Sequence, residues 1–252
     1  MTGASLSKTQ IDLLGDRLRQ GSPIEPDLRM LDDYRRSFGP AYEFVVQLVR
    51  QQLALEPTGR PAKSTSAIVE KLHRETIRLS QVQDIAGCRI VVPDFPEQEK
   101  VVAALASAFP KSSVVDRRAA PTHGYRAVHV VVEALGRLVE IQVRTTLQHT
   151  WAEVSEKLSD VIDPAIKYGG GPDNIKDALK NGSTAVHSVE NAHKVIAAVN
   201  ARVQASDEGI SEEAREVLAD ANTQLVAVRK QLDDALRKSV STWVATEQRP
   251  QT

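Results

Sequence analysis

The chain reads as an α/β (α+β) protein, a mixed β-sheet core flanked by helices and followed by a C-terminal helical hairpin. Three observations predict this. Residues 138–145 alternate strictly, with Val139, Ile141 and Val143 on one face of a strand and Glu140, Gln142 and Arg144 on the other. Residues 127–135 form a long β-branched run that reads as a central strand. On both sides of these segments apolar residues recur at helical spacing.

Taken in order, Ser7-Lys8-Thr9-Gln10 has the pattern of a capping box, and Ile11, Leu14 and Leu18 repeat at helical spacing until Gly21. A second helix starts at Pro26, a residue suited to a first turn, and carries Leu28, Leu31 and Tyr34 inward. Gly39-Pro40 interrupts it with a kink or a fresh start, and the helix that follows uses Val45, Val49 and Leu53 up to Pro57. Glu56-Pro57-Thr58-Gly59 reads as a turn. Beyond it lies a marked basic excess, Arg60, Lys63, Lys71, Arg74, Arg78 and Arg89 against Glu70, Glu75 and Asp84. Ile68 and Leu72 give the helix in this segment a buried side while Lys71 points elsewhere; charge count alone is equally consistent with a solvated face.

Residues 86–92 read as a buried strand, bounded by Asp84 and by Pro93-Asp94. A helix over 97–109 places Val101, Leu105 and Phe109 inward, and Val114-Val115 is a short edge strand. The turn at Gly136-Arg137 joins 127–135 to the alternating strand as a hairpin, and a helix over 147–159 follows directly. The remainder is helical. Val186, Val189, His193, Ile196 and Val203 mark one stripe, and Leu218, Ala221, Leu225, Val228, Leu232 and Ala235 form a heptad-like seam. A helical hairpin or a homo-oligomer contact would bury both. Tyr168-Gly169-Gly170-Gly171-Pro172 reads as a flexible joint, and it is no Walker loop because no Gly-Lys-Ser/Thr follows. The expected division is an N-terminal helical region, 1–57, a core, 58–168, and a helical appendage, 173–246.

A net charge of −1 gives no global field for DNA or a membrane surface, so any nucleotide site rests on local clustering. Cys88 is the sole cysteine, which rules out an intramolecular disulfide, and no Cys/His spacing suggests zinc. MTGASLSKTQ lacks an apolar signal core and no long apolar run follows, so the expected location is cytoplasmic, with neither DNA nor membrane as partner.

The polar positions converge on one chemistry. Asp84 at the mouth of one strand and Glu140 on another are what magnesium bound to phosphates needs, since that ion takes one or two carboxylates and completes its shell with phosphate oxygens and water. The surrounding cations would neutralise the charge of phosphoryl transfer.

These residues resemble the synthetase domain of the RelA/SpoT family, whose alarmone synthetases move pyrophosphate from ATP to the 3′-hydroxyl of GTP or GDP. The matching stretches are Gly59-Arg60-Pro61-Ala62-Lys63 with Lys71, Asp84-Ile85-Ala86-Gly87-Cys88-Arg89-Ile90, Gly124-Tyr125-Arg126-Ala127-Val128-His129, and Glu140-Ile141-Gln142-Val143-Arg144-Thr145 with Trp151-Ala152-Glu153. The resemblance implies a nucleotidyltransferase-like core. It implies that Arg60 and Arg89 sandwich adenine, that Lys63 and Lys71 hold ATP phosphates, and that Asp84 and Glu140 hold magnesium, Glu140 also deprotonating the acceptor hydroxyl. Tyr125 would stack on the acceptor guanine, with His129, Gln142, Arg144, His149 and His123 lining that half of the cleft.

The departures fall around the acceptor. Ala120-Pro121-Thr122-His123 stands where the family often has Pro-Lys-Pro-Asn, so a lysine and an asparagine are missing; Arg117 and Arg118 restore charge, but His123 cannot reproduce an amide. An extra residue separates Arg60 from Lys63, Ala67 replaces a usual serine with Ser66 beside it, and Ser155-Glu156 replaces Glu-His. The chain contains no His-Asp dipeptide, so the resemblance implies a small member without the family's hydrolase domain. Two other readings stand beside alarmone synthesis: a toxin-type relative that pyrophosphorylates the 3′ end of tRNA, and a catalytically silent nucleotide-binding scaffold acting through its helical C-terminus.

Overall fold

The computed structural model describes residues 6–21, 23–205 and 211–247. Its described residues fall into two compact units. The first lies within Met1–Ile90, Ala103–Val115 and His129–Gln142, and the second within Val91–Val102, Asp116–Val128 and Val143–Thr252.

Three helices open the first unit: α1 (Lys8–Gln20), α2 (Glu25–Arg36) and α3 (Gly39–Leu53). The capping box at the start of α1 is present in both directions, Ser7 Oγ accepting from the Gln10 N–H at 3.2 Å and Gln10 Oε1 from the Ser7 N–H at 2.9 Å. Ile11, Leu14 and Leu18 are buried beneath it, and Pro26 sits in the first turn of α2. The helix restarts at Gly39-Pro40 because proline fits a first turn and not an interior. α4 (Thr65–Arg74), capped by Ser64, buries Ile68 and Leu72 completely, each contributing about 1.5–3 kcal/mol of burial.

The sheet has five strands in the order β1-β2-β5-β4-β3: β1 (Thr58–Arg60), β2 (Ala86–Val92), β3 (Ser112–Asp116), β4 (Val128–Ala134) and β5 (Arg137–Thr145). The alternating strand β5 is the middle one. β4, read from its β-branched run as central, is interior but one place toward the edge, and β3 is an edge as expected. Val139, Ile141 and Val143 are fully buried, which leaves Glu140 and Gln142 on the opposite face. The hairpin turn between β4 and β5 holds Leu135 and Gly136 at positive φ, as a two-residue turn with the right twist requires.

The predicted turn at Thr58-Gly59 is instead the short edge strand β1. It pairs antiparallel with β2 in the register Thr58↔Arg89, Gly59↔Cys88 and Arg60↔Gly87. Gly87 is small for a reason: a Cβ there would lie 3.0 Å from the Glu140 carbonyl oxygen, so a side chain would push β5 away from β2.

In the second unit α6 (Thr146–Val161) follows β5 without a break, capped by a Thr145–Gln148 box. A 3₁₀ turn (Pro164–Tyr168) ends at Gly169, whose φ of 81° closes it, so the predicted joint has a defined turn geometry. α7 (Asp173–Ala205) and α8 (Glu212–Glu247) then pack with α6 around Leu147, Trp151, Val154, Leu158, Val186 and Leu225. Close approach of α7 needs Gly182, since a Cβ there would lie 2.4 Å from the Trp151 ring. The helical pairing is the predicted one, but the seam on α8 departs from the strict heptad. Val228 is half exposed, Ala235 faces solvent, and Leu236 is buried in its place. Over these turns the stripe follows the 3.6-residue period of a straight helix, which drifts from a 3.5-residue repeat. α5 (Phe95–Ala108) carries the predicted Val101 and Leu105 inward.

Candidate active site

Within the first unit Lys63, Lys71 and Asp84, the residues expected to serve ATP and magnesium, come together. The loop before α4 is held from two directions: the Lys63 N–H donates to the Ile85 carbonyl at 2.6 Å, and the Lys63 carbonyl accepts from Arg35 Nε at 2.9 Å. So held, Lys63 Nζ donates to Asp84 Oδ2 at 2.7 Å. Lys71, on α4 one turn after the buried Ile68, donates to Asp84 Oδ1 at 2.9 Å. Burial pushes the Asp84 carboxyl up, but the two ammonium groups outweigh it and bring it down to about 2.

A folded-state value below the unfolded one means that this pairing stabilises the protein above pH about 4, and that the stabilisation is lost as the pH falls through about 2. The amount is on the order of 2 kcal/mol. Asp84→Asn is therefore expected to show a shallower loss of stability between pH 4 and 2 than the parent in denaturant titrations; parallel curves would contradict the pairing.

Glu140 is held by two neighbours. Its Oε1 lies 2.8 Å from His129 Nδ1, and its Oε2 accepts from Gln142 Nε2 at 2.9 Å. Burial raises this carboxyl's affinity for a proton, but the His129 contact and the Gln142 hydrogen bond outweigh it and leave the group below its ordinary range. Asp84 is near enough for its charge to oppose the ionisation of Glu140. Cys88 is pushed up to about 12, by burial and then by the Glu140 charge, and is therefore no nucleophile.

Arg60 stands opposite Gly87 and Arg89 opposite Thr58, so the two arginines are diagonal neighbours on one face of the β1–β2 ribbon, within reach of a common flat group. Two carboxylates, two lysines and two arginines thus gather around β1, β2, β5 and α4 with the loop before it. The set suits magnesium, which needs only one or two protein carboxylates when phosphates supply further oxygens. Among the described residues no group of three acidic, His or Cys side chains forms a ready metal cage.

The second unit carries the remaining predicted residues. Tyr125 Oη accepts from Arg144 Nη2 at 2.9 Å, and the Arg144 guanidinium lies 5.0 Å from the Tyr125 ring centroid. Arg144 itself is buried, so the ring is backed on one face by a fixed cation. Gly124 is tied down by Trp151, whose Nε1 donates to the Gly124 carbonyl at 2.9 Å. His149 on α6 faces Glu153 at 3.5 Å. His123, at φ 51°, is exposed and lies against Gly169.

A buried polar network was not foreseen. Arg126 Nε donates to Glu190 Oε2 at 3.0 Å, Gln148 donates to the same carboxylate, and Gln98 Nε2 donates to the Val143 carbonyl at 2.7 Å and to Gln148 Oε1 at 2.8 Å. The available signal was a polar residue inside an apolar stripe. Gln98 continues the Val101 and Leu105 face of α5, and Glu190 continues the Val186 face of α7.

Residues 59–159 match the family described as "Region found in RelA / SpoT proteins". GTP pyrophosphokinase YjbM of Bacillus subtilis is 33% identical over 149 residues, 53% of this chain and 67% of that protein. The chain belongs to the RelA/SpoT family. An uncharacterized protein of Mycobacterium tuberculosis is 37% identical over 118 residues, 45% of this chain and 43% of its own length, so the chain matches less than half of that relative. Among solved structures, a GTP pyrophosphokinase family protein from Streptococcus pneumoniae superposes with a TM-score of 0.51 at 27% identity, over 69% of this chain and 94% of that one. Small alarmone synthetase 1 of Bacillus subtilis, bound to its product pppGpp, shares the fold at a TM-score of 0.51 and 24% identity, over 70% of this chain and 99% of that one. The mixed sheet flanked by helices is thus the fold of the small alarmone synthetases. Among the described residues of this RelA/SpoT member no helix is long and apolar enough to cross a membrane.

Proposed function

We propose that this RelA/SpoT family member transfers the β,γ-diphosphate of ATP to the 3′-hydroxyl of GTP or GDP, producing (p)ppGpp and AMP in the cytoplasm. The observation that carries the reading is the meeting of Lys63 and Lys71 on Asp84 beside a doubly hydrogen-bonded Glu140, with Arg60 and Arg89 on one sheet face. The substrates come from the relatives: YjbM is a GTP pyrophosphokinase and small alarmone synthetase 1 was seen with pppGpp.

In this reading Arg60 and Arg89 clasp the adenine, because guanidinium planes stack on aromatic rings. Lys63 and Lys71 exchange the Asp84 carboxylate for ATP phosphate oxygens, so Asp84 becomes available as the nucleotide arrives. Asp84 and Glu140 are the residues that would hold magnesium, which supplies neutralisation of phosphate charge when bound. The bond formed joins the acceptor O3′ to the β-phosphorus, and the bond broken is that between the β-phosphorus and the oxygen bridging to the α-phosphate. The hydroxyl proton passes to Glu140 and the electron pair leaves on AMP.

Tyr125 offers the acceptor base the ring face opposite Arg144, with Gln142, His129, His149 and His123 as polar neighbours of the acceptor. Tyr125→Ala is expected to raise the KM for the guanine nucleotide about 5- to 100-fold, the worth of one stacked base, with the KM for ATP unchanged. Equal effects on both substrates would remove Tyr125 from the acceptor site.

The test of the reaction is AMP release from ATP and magnesium with GTP, GDP or bulk tRNA supplied separately. AMP formed only with a guanine nucleotide supports the reading. AMP formed only with tRNA would overturn the choice of acceptor, and no AMP with any of them would overturn the activity.

A further inference from the structure

A cavity of about 480 Å³ lies wholly within the second unit, and of its lining residues only His123 has a part in the reaction proposed above. One wall is a single face of α7: Lys176, Lys180, Ser183, Thr184 and His187 recur at helical spacing and all line the space. A helix face turned toward its own protein is ordinarily apolar. Here every one of those five side chains can donate a hydrogen bond.

The lining also includes Arg118, His123 and Arg126, and its apolar side chains are Ala119, Pro121, Ile166 and Leu179. No Asp or Glu lines the cavity. The carboxylates that pair with its cations are Asp116 and Glu99 on Arg118, Glu190 on Arg126 and Asp173 on Lys176, and none of them belongs to the lining. Lys180 forms no ion pair among the described residues. A pocket of this size, with cationic and hydroxyl donors beside apolar side chains in its lining, has the make-up of a small-molecule site, and its donors select an anion.

We infer that the cavity binds a phosphorylated small molecule, its phosphates on Lys176 and Lys180 and its remainder against Leu179, Ile166 and Pro121. The site uses residues other than the proposed ATP contacts, since α7 lies beyond the matched residues 59–159 and neither Lys63 nor Lys71 lines the cavity. Its occupant would touch His123, Gly124 and Arg126, the residues on either side of Tyr125. Filling the cavity therefore loads the segment that carries the proposed acceptor platform.

The test is calorimetric titration of the full chain with inorganic tripolyphosphate at constant ionic strength, comparing the parent with Lys176→Ala/Lys180→Ala and with Lys63→Ala. Both α7 lysines are exposed and alanine favours helix, so the double variant keeps the fold. The expected result is that the double variant loses one binding event, or weakens it at least tenfold, while Lys63→Ala retains that event. A parent that binds no tripolyphosphate, or a double variant whose isotherm overlays the parent's, overturns the inference. Because the readout is binding, its failure is distinguishable from a failure of the transfer reaction.

Discussion

Glu140→Gln is expected to lower diphosphate transfer by about two to four orders of magnitude while moving the thermal midpoint by only a few degrees. The substitution keeps the shape of the side chain and its hydrogen-bonding reach toward His129 and Gln142, and removes the charge and the proton-accepting oxygen. Two contributions are lost together. One is the base for the acceptor hydroxyl; the other is the second carboxylate available to magnesium. A group held below the ordinary carboxylate range is fully ionised at neutral pH but is a weaker base, so His129 and Gln142 serve chiefly to aim it. Turnover measured as AMP release, beside a melting curve on the same preparation, checks this. A loss smaller than tenfold would show that Glu140 is not at the chemistry.

The largest expected effect on stability lies elsewhere, in Arg126→Ala. Arg126 and Glu190 are both almost fully buried and are paired with each other, and the guanidinium also lies 2.9 Å from His187 Nδ1. Removing one partner leaves a buried charge without compensation, a loss of about 3–5 kcal/mol. For a chain of this size that lowers the melting temperature by roughly 10 °C. Replacing both, as Arg126→Met with Glu190→Leu, is expected to restore most of the stability, because a matched apolar pair needs no desolvation. Chemical denaturation of the single and double variants decides it; a single variant within 1 kcal/mol of the parent would mean that water reaches the pair.

Arg126 also shows where the sequence stops being informative. It stands in the motif Gly124-Tyr125-Arg126 and reads there as one more cation near phosphates, yet it is committed to a carboxylate 64 residues away. No local pattern announces such a partner. What was legible was local: the alternation of β5, the β-branched run of β4, the capping box of α1 and the proline restart of α3 all follow from neighbouring residues. β1 was missed because three residues between prolines 57 and 61 are too few to show a period, and its pairing with β2 is what defines it. The seam on α8 shifts by one residue at its end, to Leu236 from Ala235, because the helix keeps a 3.6-residue period and drifts off a 3.5-residue heptad.

For the site, the structure brings Lys63, Lys71 and Asp84 into one cluster and His129, Gln142 and Glu140 into another. The backing of Tyr125 by Arg144 follows from the stacking geometry, which sequence spacing alone does not give.

The most direct measurement of the central claim follows two labels in one reaction with magnesium, ATP and GTP: one in the α-phosphate of ATP and one in its β-phosphate. Transfer as a unit predicts the α label on free AMP and the β label on the guanosine nucleotide, in equal amounts and lost together in Glu140→Gln. A β label that stays with the adenine nucleotide, or an α label that reaches the acceptor, would contradict diphosphate transfer by this site.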